Sequence, residues 1–461
     1  MARRTNTVRR RSFLKAAAGT SGALVLAGCT GDGGDGGGTE PSGTESSGGG
    51  GTVTSGGTKT VHLGQVIPLT GAAKLYGLPG NAGQKMAVED INGDGGFEVG
   101  GTTYKFEYTA LDSECKPATA RNAASRLIQD RGVDVIYSGN CPSSILAWVD
   151  MAIDSETFTV LDQDQASKLH AKAAEHDFVF GTSPVIYNEK HPLISFVAAE
   201  GAYIVNELGH EKIAFLTPKS QYGFDVQKYV AKTAKTAGAE VVKNVNHPIG
   251  ASDFSNAITT FKSTDADIII SSSFPNSFWQ FLKQAGEKGL REQAQIFATQ
   301  GPTEGQADRL VSDQVADGFY SATLGLEVAQ QASKDGDLPG APAERGRKLK
   351  SRFGEEYPDR PWNSSFLVGY ENVQLLKKAI EKSGGADKGS LVEGFEALTW
   401  SDVSDFTTQY YIPPKGSIDG AERQGKLFDD THQLFFQQSI QKWDMGKKKY
   451  HELLELGPYW K

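Results

Sequence analysis

The spacing of hydrophobic positions changes repeatedly along residues 59–290. Short apolar runs typical of buried strands lie at residues 61–67, 104–111, 133–137, 212–216, 240–245 and 267–270. Between the runs, apolar residues recur three and four positions apart, as on the core-facing side of a helix. One such stripe is Phe278, Phe281, Leu282 and Ala285. The alternation predicts an α/β fold with parallel sheets, and its two successive series predict two lobes.

The first 28 residues have a different pattern, in which basic residues precede a short apolar run. Arg10-Arg11-Ser12-Phe13-Leu14-Lys15 resembles the twin-arginine export signal, and residues 16–28 are too few to span a membrane as a helix. The small residues before Cys29 resemble a lipobox, in which the cysteine is acylated and the peptide is cut before it. We therefore expect residues 1–28 to be a twin-arginine lipoprotein signal and Cys29 to carry the lipid. The alternative is an ordinary cleavable signal followed by an incidental cysteine.

Residues 29–58 consist almost entirely of Gly, Ser, Thr, Asp and Glu. A segment with so little to bury cannot offset the entropy of ordering, so we expect it to be disordered. As a Gly-rich coil it has a reach of roughly 30 Å. The sequence thus predicts a flexible, lipid-anchored linker that lets a globular head move above its anchor.

The chain is acidic. Its formal net charge is −9, and it becomes −15 when residues 1–28 are removed, because they hold six basic and no acidic residues. Nucleic acids and anionic membrane surfaces require clustered Lys and Arg, so neither is an expected partner. No later stretch reaches the ~18 to 20 apolar residues of a membrane span. We expect an extracytoplasmic protein that only the lipid on Cys29 holds at the outer face of the cell membrane.

Short motifs spread over residues 59–445 resemble one family. They are Gly64-Gln65-Val66-Ile67-Pro68-Leu69-Thr70-Gly71, Tyr76-Gly77, Ala87-Val88-Glu89-Asp90-Ile91-Asn92, Gly95-Gly96, Asp112-Ser113-Glu114-Cys115, Gln221-Tyr222-Gly223, Gly301-Pro302-Thr303-Glu304-Gly305 and Gly369-Tyr370-Glu371-Asn372. Their order and spacing resemble the type I periplasmic binding proteins, and among these the branched-chain amino-acid (Leu/Ile/Val) binding proteins of ABC importers. The resemblance implies two Rossmann-like lobes joined by three crossovers, which close on a ligand like a Venus flytrap.

The resemblance also implies where the chain crosses between the lobes, namely near residues 182–184, 318–323 and 409–413. Lobe 1 would hold residues 59–183 and 320–408, and lobe 2 would hold residues 184–319 and 409–461. Because open α/β sheets bind ligands at the carboxyl ends of their strands, two facing lobes place one site in the cleft between them. The implied function is that of a monomeric solute-binding protein, which delivers a small-molecule ligand to ABC permease subunits.

The two remaining cysteines, Cys115 and Cys141, lie where the amino-acid-binding relatives carry a disulfide. An exported protein permits such a bridge, and closing this loop would stabilise the fold by about 3 to 4 kcal/mol. We expect the bridge to form. The alternative is a pair of buried thiols.

Four residues match positions that contact the ligand in relatives. Tyr76, Tyr222 and Phe274 match pocket aromatics, which offer apolar area with little conformational freedom to lose. Glu304 matches a carboxylate that holds the ligand's ammonium group. The alternatives are a plain core role for each aromatic and a solvated loop position for Glu304.

The chain departs from the relatives where they hold the ligand carboxylate. Pro142 stands in place of a serine, and the candidates Asp164 and Gln165 replace Ala and Thr. Proline has no N–H to donate, and Asp164 would repel a carboxylate if it faced the cleft. Substitutes could come from Ser138, Asn140, Ser143 and Ser144. Either the carboxylate is held differently or the ligand has none, so amide, urea-like, betaine-like and polyamine ligands are candidates beside amino acids.

The sequence contains no assembled catalytic or cofactor motif: it has no His-Glu-x-x-His, Gly-x-Ser-x-Gly, P-loop or paired-cysteine zinc pattern. Asp90, Asn92 and Asp94 resemble half of a calcium loop, but Gly101 stands where the closing glutamate should be. This favours a helix end followed by a glycine turn. Asn363 begins a glycosylation sequon and could equally cap a helix. We expect a non-enzymatic binding protein without metal or cofactor; the alternative is a receptor of the same fold that signals to a membrane partner.

Overall fold

The computed structural model describes residues 57–163, 165–183, 185–187, 197–299, 313–324, 341–406, 425–434, 438–444 and 449–455. The predicted signal in residues 1–28, the lipidation site Cys29 and the linker up to residue 56 lie outside the described residues. In the part of the chain that the structure describes, every helix is too short or too polar to cross a membrane.

Six described strands form the first sheet, in the order β2-β3-β1-β4-β5-β6. Their bounds are β1 Thr58–Ile67, β2 Phe97–Val99, β3 Thr102–Asp112, β4 Val135–Tyr137, β5 Phe158–Leu161 and β6 Val179–Gly181. All neighbours are parallel except β2, which forms an antiparallel hairpin with β3. The strands predicted at residues 61–67, 104–111 and 133–137 are confirmed as β1, β3 and β4.

Seven described strands form the second sheet, in the order β13-β12-β11-β10-β9-β7-β8. Their bounds are β7 Lys212–Pro218, β8 Glu240–His247, β9 Ile268–Ser271, β10 Gln295–Ala298, β11 Tyr320–Leu324, β12 Gln438–Asp444 and β13 Lys449–Glu455. Strands β7 to β11 are parallel, as expected, and the predicted strands near residues 212, 240 and 267 are confirmed. Strands β12 and β13 add an antiparallel edge that the local hydrophobic pattern does not indicate.

Helices connect the strands in both lobes. Their bounds are α1 Lys74–Gly93, α2 Pro117–Ser125, α3 Pro142–Ile145, α4 Val149–Asp154, α5 Ser167–Glu175, α6 Ala198–Asn206, α7 Gln221–Thr236, α8 Ser255–Lys262, α9 Pro275–Glu287, α10 Asp313–Ala316, α11 Ala341–Glu356, α12 Ser364–Ser383 and α13 Lys388–Ala397. A π-helical turn, Arg126–Asp130, continues α2. Asn363 is buried and caps α12 by accepting the backbone N–H of Ser365 (3.0 Å), which confirms the capping interpretation.

Both faces of each sheet are covered by helices. In β1, Val61 and Leu63 face the core beneath α1, α12 and α13, whereas Val66 faces the core beneath α2, α4 and α5. This split follows from the two-residue period of a strand. In the second sheet, α6 and α7 cover one face, and α8 and α9 cover the other. The predicted stripe of α9 is buried throughout, so its spacing identified the core-facing side correctly.

The passages between the lobes differ in part from the expectation. The first follows β6, as predicted, because α6 packs in the core of the second sheet. Strand β11 is paired with β10 and β12, so residues 320–324 lie with the second sheet rather than with lobe 1. Residues 425–434 pack on the first sheet rather than in lobe 2: Phe428 contacts Phe180 (ring centroids 5.1 Å apart), and Leu434 N donates to Gly181 O (3.1 Å). The third passage therefore follows Leu434, and the remaining lobe boundaries stay a prediction.

One histidine should make the stability of the first lobe depend on pH. His170 lies buried in α5, and neither ring nitrogen has a hydrogen-bond partner among the described residues. Burial lowers the pKa of His170 from 6.5 to about 3. Between these values the unfolded chain binds a proton that the folded chain does not, so the free energy of unfolding falls as the pH falls below 6.5.

We expect His170→Leu to remove this loss. At pH 7.5 the histidine is neutral in both the folded and the unfolded state, so this pH serves as the reference. Between pH 7.5 and pH 5, the free energy of unfolding of the variant should rise by about 2 kcal/mol relative to that of the wild type. Urea denaturation at the two pH values measures it. A stability difference that does not change with pH would show that His170 is not buried as a neutral ring.

Candidate functional site

In each sheet the strand order reverses at one point, where loops leave the carboxyl ends of neighbouring strands. In the first sheet this point lies between β1 and β4, because the chain runs from β1 to β3 on one side and then to β4 on the other. In the second sheet it lies between β7 and β9, with β8 on the far side of β7. Ligands of open α/β sheets bind outside such points. Tyr76, Asn140, Tyr222 and Phe274 all follow these strands.

Asp112 holds the loop after β1 against the loop after β3. Its carboxylate accepts hydrogen bonds from the backbone N–H groups of Leu69 (2.9 Å), Thr70 (3.3 Å) and Glu114 (2.8 Å), and from Thr70 Oγ1 (2.6 Å). Burial alone would raise the pKa of Asp112, but these hydrogen bonds lower it below the usual value. Asp112 therefore stays ionised, and its carboxylate positions the two loops.

The predicted disulfide is present. Cys115 after β3 is bonded to Cys141 after β4, and the two Cα atoms are 5.6 Å apart. Both cysteines have a left-handed backbone, with φ of 57° and 82°. Because non-glycine residues seldom adopt this conformation, the covalent link helps to hold a backbone that the separate loops would not favour. The disulfide thus joins two of the loops at the switch point, directly beside Asn140.

The polar candidates after β4 have different surroundings. Ser138 is buried, and its hydroxyl donates to Asp162 O (2.9 Å) and accepts from Asp162 N (2.8 Å), so it ties β4 to β5. Asn140 Nδ2 donates to Gln163 Oε1 (3.2 Å). Ser144 Oγ is buried without a hydrogen-bond partner in the described part of the chain. Ser138 thus has a structural role, and the contact of each residue with a ligand stays a prediction.

Two contacts join the carboxyl edges of the two sheets. Ser143 in α3 accepts at Oγ from the backbone N–H of Gln221 at the start of α7 (3.1 Å). Asp225, also in α7, accepts at Oδ2 from the backbone N–H (2.9 Å) and hydroxyl (3.0 Å) of Ser167 at the start of α5. The cap position of α5 is Ala166, which has no side-chain acceptor. A carboxylate of the second lobe therefore caps a helix of the first.

Tyr76 and Tyr222 occupy corresponding positions in the two lobes. Each precedes a glycine at the start of the helix that follows the first strand of its sheet. A Cβ on the glycine after Tyr76 would lie 1.9 Å from Pro68 O, and one on the glycine after Tyr222 would lie 2.3 Å from Pro218 O. Only glycine permits so close an approach. Both helices therefore begin directly against a strand end, which places each tyrosine at its switch point.

The Tyr222 hydroxyl lies among buried polar side chains, 3.3 Å from Thr299 Oγ1. Burial raises the pKa of Tyr222 well above its usual value; the hydrogen bond with Thr299 opposes this, and the nearby Glu200 carboxylate and Tyr76 hydroxyl raise it further. Because Tyr76 belongs to the first lobe and the other three to the second, the lobes approach each other here. Sequence analysis missed Glu200, although a single acid in the otherwise apolar residues 197–205 is a usable signal.

The other candidates are placed as follows. Phe274 is partly buried at the position before α9, and Gln165 is buried beyond β5 with a φ of 27°. Pro142 begins α3, where its missing N–H is tolerated. Asp164 and Glu304 lie outside the described residues, so their part in binding stays a prediction.

His247, which ends β8 of the second sheet, has hydrogen-bond partners at both ring nitrogens. His247 Nε2 is 2.8 Å from Ser273 Oγ, and its Nδ1 is 2.8 Å from Pro248 O. Burial lowers the pKa of His247, although the hydrogen bond to Pro248 acts in the opposite direction. The second ring nitrogen thus faces a carbonyl group and not the carboxylate of a hydrolytic triad.

Within the described residues, no group of three His, Cys, Asp or Glu side chains is placed to hold a metal. In the calcium-like motif, Asn92 bonds to the backbone of Phe106 (2.7 and 3.0 Å), and Asp90 accepts from the Tyr370 hydroxyl (2.8 Å). Helix α1 ends at Gly93. The helix-end interpretation of this motif is therefore confirmed.

Comparison with known sequences identifies the family. A sequence model described as periplasmic binding protein matches residues 60–444. The chain belongs to this family. This periplasmic binding protein is 25% identical over 341 residues to the leucine-, isoleucine-, valine-, threonine- and alanine-binding protein of Pseudomonas aeruginosa. The alignment covers 74% of this chain and 83% of the relative.

Solved structures share the fold of this periplasmic binding protein. A leucine-binding protein from Thermotoga maritima has a TM-score of 0.66 at 18% identity, covering 86% of this chain and 99% of that one. A solute-binding protein of an ABC transporter from R. palustris, in complex with 4-hydroxybenzoate, has a TM-score of 0.65 at 19% identity, covering 86% and 96%. The resemblance to type I periplasmic binding proteins of the branched-chain amino-acid binding group is confirmed, as is the α/β fold.

Proposed function

We propose that this protein is the extracytoplasmic solute-binding component of an ABC importer. It captures a small polar organic ligand in the cleft between its lobes and delivers it to the permease. The observation that carries this proposal is the contact between the carboxyl edges of the two sheets, through Ser143 with Gln221 and Asp225 with Ser167. These edges are where open α/β sheets bind their ligands.

The mechanism is a shift between open and closed lobes. The contacts between the lobes exist only when the lobes are close, because a hydrogen bond requires donor and acceptor within about 3.5 Å. Each such bond contributes roughly 1 kcal/mol net, so the few observed favour closure only modestly. A ligand that touches both lobes adds its binding energy to the closed state alone, and the population shifts accordingly. The permease then recognises the closed shape.

Two features support the ligand class. One relative is named for the amino acids that it binds, and a structure with the same fold is a complex with the aromatic acid 4-hydroxybenzoate. Both support the proposal that the ligand is a small organic molecule with a polar end. Pro142 and the neighbouring departures support an amide or urea-like compound as an alternative to a branched-chain or other amino acid. Tyr76 and Tyr222 would form the walls of the site from opposite lobes.

We further propose that the protein acts as a monomer without catalytic activity, anchored by a lipid on Cys29 after export through a twin-arginine signal. The support is the leader sequence and the linker that follows it. Relatives named as binding proteins support the non-enzymatic role. Mass spectrometry of the membrane-extracted protein tests the anchor, since lipidation adds acyl mass to a chain that begins at Cys29.

Small-angle scattering combined with thermal denaturation tests ligand capture. Native mass spectrometry of the gently purified protein supplies co-purified compounds, and a panel of amino acids, amides and small acids supplies the rest. A ligand should raise the melting temperature and reduce the radius of gyration. If no compound changes either quantity, the proposal is wrong.

The cap that Asp225 provides should favour closure. Asp225→Ala removes an acceptor that α5 has only when the lobes are together, so we expect ligand affinity to fall about 5- to 10-fold, the effect of losing one helix cap. Isothermal titration with the ligand found above measures the change. Scattering of the unliganded variant should also shift toward the open form.

A matched control is Asp387→Ala, because Asp387 caps α13 within one lobe by accepting the backbone N–H of Ser390 (3.1 Å). This variant should lose about 1 kcal/mol of stability and keep its affinity. Equal affinity losses in the two variants would contradict a role of Asp225 in closure.

A further inference from the structure

Asn140 lies at the switch point of the first sheet, and only one of the two polar atoms of its side-chain amide has a hydrogen-bond partner among the described residues. The residue is 8% exposed, and its Nδ2 donates to Gln163 Oε1 (3.2 Å). Its Oδ1 is buried and has no hydrogen-bond partner among the described residues. Buried carbonyl oxygens are nearly always paired, so an unpaired one at a ligand-binding edge calls for a donor.

Asp162 determines which atom of Asn140 is left unpaired. Gln163 Nε2 faces Asp162 Oδ2 at 3.5 Å. Asp162 is itself fully buried, so its carboxyl group is held in place beside the Gln163 amide. Turning the Gln163 amide round would replace this donor contact with two facing oxygen atoms, Gln163 Oε1 and Asp162 Oδ2.

The orientation of the Gln163 amide determines the orientation of the Asn140 amide. Because Gln163 Nε2 faces Asp162, Gln163 Oε1 faces Asn140. An oxygen can only accept, so Asn140 donates to it through Nδ2. The oxygen Oδ1 of Asn140 is then the atom left over. A carboxylate in one strand-end loop therefore makes the neighbouring loop an acceptor for whatever binds beside it.

A ligand carboxylate does not suit this surface. A carboxylate would bring an acceptor against Asn140 Oδ1, which is itself an acceptor, and Pro142 has no N–H to hold it. An amide, urea-type or ammonium N–H suits this surface, since it donates a hydrogen bond to the unpaired oxygen of Asn140.

We infer that the ligand presents an N–H donor to Asn140 Oδ1 and that the first lobe thereby selects amides, urea-type compounds or amines over carboxylates. The inference rests on the proposed function, because it requires a ligand in the cleft. Beyond that function, it states that the end of the ligand that carries the N–H donor binds to the first lobe.

The test compares matched sets of compounds that share a scaffold and differ in the polar group. Suitable sets are benzoate, benzamide and benzylamine; 3-methylbutanoate, its amide and its amine; acetate and acetamide; leucine and leucinamide; and urea alone. Titration of the purified full-length protein should give binding for members with an N–H donor. The simple carboxylate of a binding set should be at least about tenfold weaker, the discrimination expected when a buried polar group is left unpaired.

Asn140→Leu supplies the second readout, because leucine has nearly the shape of asparagine but no acceptor. Each N–H binder should lose about tenfold or more in affinity. The matched control is Asn372→Leu in α12, since Asn372 is also buried and its side-chain amide also has no hydrogen-bond partner among the described residues. Circular dichroism and melting curves show that both variants are folded.

The outcomes separate the inference from the proposed function. A simple carboxylate that binds as tightly as its amide, or N–H binders whose affinity Asn140→Leu leaves unchanged, would overturn the inference while a ligand-binding cleft remained. Equal losses in the two leucine variants would also overturn it. If no compound binds and none co-purifies, the proposed function itself fails.

Discussion

Replacing both Cys115 and Cys141 by alanine is expected to lower the free energy of unfolding by about 3.5 kcal/mol, from the loop entropy that the bridge removes from the unfolded chain. The two cysteines are 26 positions apart, so the unfolded chain gains the freedom of that loop. The folded state loses the link that holds two left-handed residues at the ends of β3 and β4. Guanidinium denaturation of the wild type and the double variant measures the change.

The same experiment has an internal control. Reductant should destabilise the wild type to about the level of the double variant and should leave that variant unaffected. Ligand affinity should fall as well, because the bridge lies beside Asn140. A double variant as stable as the wild type would mean that the loops are held by their other contacts, chiefly those of Asp112.

Tyr222→Ala is expected to weaken ligand binding roughly 30- to 100-fold, since in the proposed site Tyr222 forms an aromatic wall of the size typical of a binding hot spot. The Tyr222 hydroxyl already interacts with Thr299. Tyr222→Phe keeps the ring and should therefore lose much less affinity. Isothermal titration with the co-purified ligand, or with the best binder of the panel, measures both.

Tyr229→Ala is the matched control for this effect. Tyr229 lies in the same helix and is buried, but its ring stacks on Tyr187 (centroids 4.1 Å apart) within the core of the second lobe. Its removal should lower stability and leave affinity nearly unchanged. If both alanine variants lose the same affinity, or Tyr222→Ala loses none, Tyr222 does not line the site.

Much of the architecture could be predicted because each helix and strand contains its own periodic pattern. The stripe of α9 was predicted and is buried, and the strands β1, β3, β7 and β9 lie within a few residues of their apolar runs. The disulfide could be predicted from the resemblance to a family. Strand β12 could not, since it pairs with β11 from the far end of the chain.

The sequence by itself determined the α/β class, the two lobes and the strand-end loops that carry Tyr76, Tyr222 and Asn140, because local spacing and order along the chain contain that information. Only the tertiary structure decided that Asp225 caps α5 and that Asp162, through Gln163, turns Asn140 into an acceptor. The physical reason is that these contacts join loops and lobes far apart in the chain. Asp225 and Ser167 become partners only when both sheets have folded and their edges meet, and Asn140 and Gln163 only when β4 has paired with β5.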